Sequence, residues 1–145
     1  EVEYSNDGEL YTDSDGNRIW NQAFEMSSPQ VVTCESFMTI YDRGGTVLYI
    51  MDKNGVKKEI GTSWPIIKAC IASQGTVAVL VSENENYYVK LYDVNGKELA
   101  SGEFFGEQKN IPVDIALSYD AKKMAVDMID VSGGKTDSVR HKPKL

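Results

Sequence analysis

"KLYDVNGKEL" (Lys90–Leu99) reads as a strand, a two-residue turn and a second strand. Asn95-Gly96 predicts a type I′ hairpin, because both central positions of that turn need positive φ. Whether this is one hairpin or one copy of a repeated unit decides the fold. Aligning Asp-x-x-Gly turns yields "ELYTDSDGNRIW", "VLYIMDKNGVKKEI" and "VKLYDVNGKELA", with Asp13, Asp52 and Asp93 spaced by 39 and 41 residues. A Leu-Tyr pair precedes each aspartate: Leu10-Tyr11, Leu48-Tyr49 and Leu91-Tyr92. A second element recurs between the hairpins. "KACIASQGTVAVLVS" (Lys68–Ser82) parallels "VDIALSYDAKKMAVDMI" (Val113–Ile129), each with a polar turn and then Ala78-Val79 or Ala125-Val126. "VVTCESFMTIYD" (Val31–Asp42) is a degenerate third copy.

Each unit is therefore four short strands. Complete units are expected over Pro29–Gly61 and Ile66–Phe105, with half a unit at Gly8–Phe24 (third and fourth strands) and half at Pro112–Asp130 (first and second). Four-stranded antiparallel units at a period of ~40 residues point to β-propeller blades. A twisted sheet cannot cover both its faces alone, so blades stack face to face around an axis. No stretch carries apolar residues at helical spacing over three turns. The expected fold is all-β: a partial, propeller-like stack of about three blades at that period, two complete plus two half blades.

These residues resemble known propeller repeats. "GELYTDSDGNRIW" is similar to the blade motif of pyrroloquinoline-quinone-type propellers, and "IALSYDAKKMAV" to the Ser-Pro-Asp-Gly-Lys-Lys-x-Ala-Val motif of TolB-like and WD-type propellers. In the second, Tyr119 stands in place of the proline and Ala121 in place of the glycine. Up to about Asp130 the chain resembles an uncharacterised family of bacterial, membrane-anchored, extracytoplasmic propeller-like proteins. That resemblance implies a cell-envelope location and, in the full length, a membrane anchor. It implies no cofactor, because the channel ligands of quinone enzymes have no matching motif here and a propeller fold does not specify its chemistry.

Composition narrows the partners. Fifteen basic against 22 acidic residues leave a net charge of −7. A phosphate-tracking groove or an anionic membrane surface needs the opposite sign, so neither nucleic acid nor direct membrane contact is expected. The chain opens on "EVEYSNDGELY", already strand-like, so a segment upstream of Glu1 is expected. Residues 135–145 hold four basic and one acidic residue, against 11 and 21 in residues 1–134. We read 1–134 as the propeller-like domain and 135–145 as a polar basic tail, disordered or truncated, standing where a third strand belongs. A closed propeller needs four or more blades. Either the chain is a fragment of a longer propeller or copies associate: a C2 dimer that completes a ring is therefore one expected partnership, and a separate protein partner the other.

Chemistry-bearing residues are sparse. Cys34 and Cys70 lie in apolar runs and read as buried free thiols. "DSDGN" offers Asp13, Asp15 and Asn17 at calcium-loop spacing, but position twelve is Phe24, so a turn is expected and no metal. His141, the only histidine, lies in the basic tail, which argues against Ser-His-Asp catalysis or a histidine zinc site. Asp114, Asp120, Asp127 and Asp130 are the carboxylates that a glycosidase-type pair would draw on, and otherwise turn and edge charges. Trp20 and Trp64 hold comparable places in or after fourth strands, favouring packing between blades. Tyr87 and Tyr88 start a strand where one ring points outward, the possible binding surface. The expected role is a non-catalytic interaction or structural module at the cell envelope. The alternative is an envelope enzyme or carbohydrate-binding module using acidic and tyrosine residues on a propeller face. Convergent carboxylates with a raised pKa would mark the enzyme; a contiguous apolar patch would mark the binder.

Overall fold

The computed structural model describes residues 26–105, 110–130 and 137–141. Within them the chain is all-β: eleven strands in three antiparallel sheets and no helix. The first sheet runs β1 (Pro29–Cys34), β2 (Phe37–Asp42), β3 (Val47–Asp52) and β4 (Gly55–Gly61), in chain order from one edge to the other. The second repeats that meander with β5 (Ile66–Ile71), β6 (Val77–Glu83), β7 (Asn86–Tyr92) and β8 (Glu98–Phe105). The third holds β9 (Asn110–Leu117), β10 (Met124–Asp130) and β11 (Asp137–His141). The two whole units thus begin and end where the repeat placed them. The half unit at Gly8–Phe24, with Trp20 and "DSDGN", lies outside the described residues.

Packing is radial. Contacts between sheets run through β1, β2, β5, β6 and β9, so the first strands converge while β4 and β8 lie outward. Among the described residues the core is divided among separate sheet faces, and two of its clusters are interfaces between sheets. Tyr41, Leu48 and Ile50 of the first sheet meet Ile66, Ile71, Val77, Val79 and Val81 of the second. The opposite face of the second sheet sets Cys70, Ala78, Leu80, Val89 and Leu91 against Ile115, Met124, Val126 and Met128 of the third. Strand β6 shows why: its side chains alternate between two neighbouring sheets, so Val77-Ala78-Val79-Leu80-Val81 is apolar without interruption and wholly buried. Together the three meanders form a partial propeller-like fold.

Two expectations change at the level of local structure. The hairpin at Asp93–Lys97 is not type I′, because Asn95 has no positive φ; only Gly96 does, at +82°. Asp93 Oδ1 accepts from the Asn95 and Lys97 amides (2.9 Å each), and the Gly96 amide donates to the Asp93 carbonyl at 2.9 Å. This is a type I turn closed by a left-handed glycine, and the register slips by one residue between Leu91 and Tyr92. Asp52 and Gly55 (φ +116°) repeat the arrangement in the first sheet. The aspartate side chain thus takes over the amide bonding that a type I′ backbone would not need.

The second change concerns the tail. Residues 137–141 are strand β11, paired antiparallel to β10 with Val126 opposite His141 and Asp130 opposite Asp137. The third-strand position is therefore occupied by the segment read as tail. A polar strand suffices there because backbone pairing to β10, not an apolar pattern, holds it.

Candidate functional site

The first strands define two ends of the molecule with different chemistry. At the end where they finish, the turns between first and second strands meet. The Ser73 amide and hydroxyl both donate to the Tyr119 carbonyl (2.9 and 2.8 Å), and Gln74 Nε2 donates to the Asp120 carbonyl at 3.0 Å. The Tyr119 hydroxyl donates to Glu35 Oε1 at 2.8 Å, spanning from the third sheet to the first. That acceptor raises the Tyr119 phenol above its ordinary value. Asp120, the second of the singled-out carboxylates, closes its own turn: its Oδ1 accepts from the Ser118 hydroxyl (2.8 Å) and the Lys122 amide (3.0 Å). Those bonds hold its pKa below the usual value. This end is satisfied internally and works as a clasp.

At the other end, where β1 and β5 begin, lies an open groove of about 520 Å³ lined by Gln30, Tyr41, Arg43, Ile67, Lys68, Val113 and Asp114. Its size is that of a small-molecule site. Arg43 sits just after β2 on a turn anchored by backbone bonds to two other segments. The Arg43 amide donates to the Ser28 carbonyl at 2.9 Å, the Gly44 amide to the Ile66 carbonyl at 2.8 Å, and the Ile66 amide to the Gly45 carbonyl at 2.8 Å. Gly44 holds φ +85°, and a Cβ at Gly45 would stand 2.4 Å from Asp42 Oδ2, so this turn requires both glycines. Asp42 itself accepts from the Ser28 amide at 2.8 Å. The guanidinium on this fixed turn is exposed and makes no ion pair or side-chain hydrogen bond among the described residues. Lys68 Nζ lies 3.6 Å from Asp114 Oδ1, both ends part-exposed, a pair that contributes little to stability. Asp114 also accepts from the Ile115 amide at 2.8 Å, which orients it. Beneath, Tyr41 is fully buried, and burial raises its phenol above the ordinary value, offset in part by the Ala69 backbone.

The remaining sequence candidates fall as follows. Tyr87 and Tyr88 point to opposite faces of β7, and each is half-buried against a different interface. The second sheet is covered on both faces, and each ring packs in part against a neighbour while keeping part of its surface in solvent. Tyr88 stacks on Trp64 with centroids 4.6 Å apart and planes at 16°, and its hydroxyl donates to Glu83 Oε2 at 3.4 Å. Trp64 therefore packs between sheets, as its position after a fourth strand implies. Beside it a recess of about 40 Å³ is far below the size of a small-molecule site. Asp114 and Asp127 are directly opposite in the β9–β10 register and share a face; neighbours so paired have Cβ atoms about 5 Å apart. The Asp130 side chain and the His141 side chain lie outside the described residues. Both thiols are free, Cys34 half-buried and Cys70 buried. Among the described residues no group of three or more His, Cys, Asp or Glu could hold a metal ion. The groove itself escaped the sequence reading, because Gln30, Arg43, Lys68 and Asp114 come from three sheets and share no motif.

Comparison with solved structures places this architecture among known folds. The chain is similar to hydrazine synthase of Kuenenia stuttgartiensis, with a TM-score of 0.55 and 14% identity over 75% of this chain and 36% of that one. A protein of unknown function from Bacteroides caccae aligns at a TM-score of 0.48 and 11% identity, covering 75% of this chain and 44% of that one. The chain thus spans less than half the length of either, and at such identities the first likeness is one of fold alone. No curated protein matches the chain. A family model does, over residues 2–139, nearly the whole length, and by it the chain belongs to a family of unknown function (DUF5711).

Proposed function

We propose that this chain is a non-catalytic recognition module of a propeller-like envelope protein, meeting its partner through the inner-strand groove. The observation that carries this reading is Arg43: a guanidinium with no counter-ion among the described residues, held on a turn whose backbone is bonded to two other segments. Preorganised groups lose little entropy when they engage a ligand, which suits them to recognition. The envelope location comes from the resemblance of the repeats to extracytoplasmic and TolB-like propellers, as does a membrane anchor in the full length. Association of two copies into a larger ring is the partnership the blade number favours. Light scattering tests it: a dimer supports the ring, whereas a stable 16.1 kDa monomer overturns it.

Titrating 15N-labelled chain with neutral sugars, small carboxylic acids and short peptides tests the recognition reading. Shifts of the Arg43, Lys68 and Val113 amides by any of these classes support it; silence of all three amides overturns it. A second reading is favoured by the register of Asp114 opposite Asp127, since a paired carboxylate is what a retaining glycosidase uses. It expects turnover of chromogenic glycosides that Asp114→Asn and Asp127→Asn each abolish.

A further inference from the structure

We infer that the inner-strand groove captures a single carboxylate carried on an apolar body; this rests on the reading of the groove as a recognition site. Charge is the first argument. The groove lining holds two cations, Arg43 and Lys68, and one carboxylate, Asp114, with Asp127 opposite Asp114 on the neighbouring strand, in a chain of net −7. Lys68 already faces Asp114 at 3.6 Å, which leaves Arg43 as the groove cation without an ion pair among the described residues. A planar guanidinium matches a carboxylate with two parallel N–H···O bonds. A phosphate dianion would bring a second negative charge with no second free cation to meet it, and would lie against Asp114. A metal cation would meet one carboxylate and two positive side chains.

The walls are the second argument. Ile67 and Val113 line the groove, and Val113 is 39% exposed, so an apolar surface stands open beside the charged groups. Val113 owes this to the register slip between Asp127 and Met128, which leaves it opposite no residue of β10 and out of the alternation that buries Ile115. A ligand with a carboxylate and an adjoining aliphatic group would cover this surface and reach Arg43 together. Two sources offer that chemistry: a free small acid and the C-terminus of a polypeptide.

The test is amide titration of 15N-labelled chain with N-acetyl-leucine, N-acetyl-leucinamide, an N-acetylated tetrapeptide ending in leucine, and inorganic phosphate. The expected result is that the free acid shifts Arg43, Lys68 and Val113, with the carboxamide weaker by about tenfold. Arg43→Ala should weaken the acid by about tenfold, and Arg43→Lys by less, since the charge stays and the fork is lost. Asp114→Asn should strengthen acid binding and admit phosphate, because the groove then gains net charge; loss of acid binding in this variant would count against the inference. Tighter binding of the tetrapeptide than of N-acetyl-leucine supports a polypeptide C-terminus, and equal binding supports a free acid. Equal binding of acid and amide, or phosphate bound more tightly than the acid by the unaltered chain, overturns the carboxylate inference. If neutral sugars shift the groove amides and the acids do not, the carboxylate inference fails while the recognition reading survives. If nothing shifts them, both fail.

Discussion

Ala121 shows what a single position can store. It stands where similar repeats carry glycine, and it keeps the left-handed conformation that glycine would supply, at φ +61°. An L-residue there costs about 1 kcal/mol. The Ser118–Asp120–Lys122–Lys123 hydrogen bonds hold the turn regardless. Ala121→Gly should therefore be neutral to stabilising, by up to about 0.5 kcal/mol, the relief of strain offsetting the added freedom of the unfolded chain; urea denaturation checks it, and a clear loss of stability would count against stored strain. Cys70 carries a pH dependence. Burial pushes its thiol from the ordinary 9.0 up to about 12. Between those values the unfolded thiol loses its proton and the folded one keeps it, so unfolding releases protons and stability falls as pH rises. The contribution is intact below pH 9.0 and lost by about 12. Burial raises the Tyr41 and Tyr92 phenols in the same direction. Cys70→Ala should thus flatten the alkaline loss of stability without removing it, as denaturation at stepped pH will show. With a thiol reagent at pH 8, Cys34 should react well before Cys70, because thiolate and access are both needed.

At the scale of the element, β6 is the test piece. Its first five residues, Val77–Val81, are buried on both faces, so truncation leaves a cavity whichever neighbour they point toward. Leu80→Ala should cost about 2–5 kcal/mol. An exposed change in β4, such as Glu59→Gln, should stay within about 0.5 kcal/mol. Trp64→Ala removes the stack on Tyr88 that joins the connection after β4 to the second sheet. The stacking geometry alone contributes about 0.5–1.5 kcal/mol beyond burial, so the melting temperature should fall further than for Tyr88→Phe, which keeps the ring. The hairpins explain why their turns repeat and their strands drift. Asp93 and Asp52 each bond the amide two residues on, at 2.9 and 2.8 Å, and this needs one residue type at one place. A buried strand needs only apolar volume.

Across the described residues, buried clusters on separate sheet faces rather than one core carry the fold, with the second sheet shared between two interfaces. A chain so built should unfold with both interfaces lost together, and fluorescence and far-ultraviolet circular dichroism should give coincident transitions. The periodicity of turns and strand patterns was enough to determine the sheets, because each blade solves the same local problem: aspartate and glycine at the hairpin, alternating side chains between two neighbours. Asn95 misled on turn type because its dipeptide favours one backbone while Asp93, two residues earlier, stabilises another. Strand β11 was hidden because backbone pairing on an outer strand demands no apolar pattern. The groove was decided by tertiary structure alone. Gln30, Arg43, Lys68 and Asp114 meet because first strands converge at an axis, and convergence is a property of how sheets stack. No spacing along the chain encodes it. The Asp93 and Asn95 of the opening hairpin were fully legible as residues, and they serve the turn; the residues that can meet a ligand became visible only when three sheets stood together.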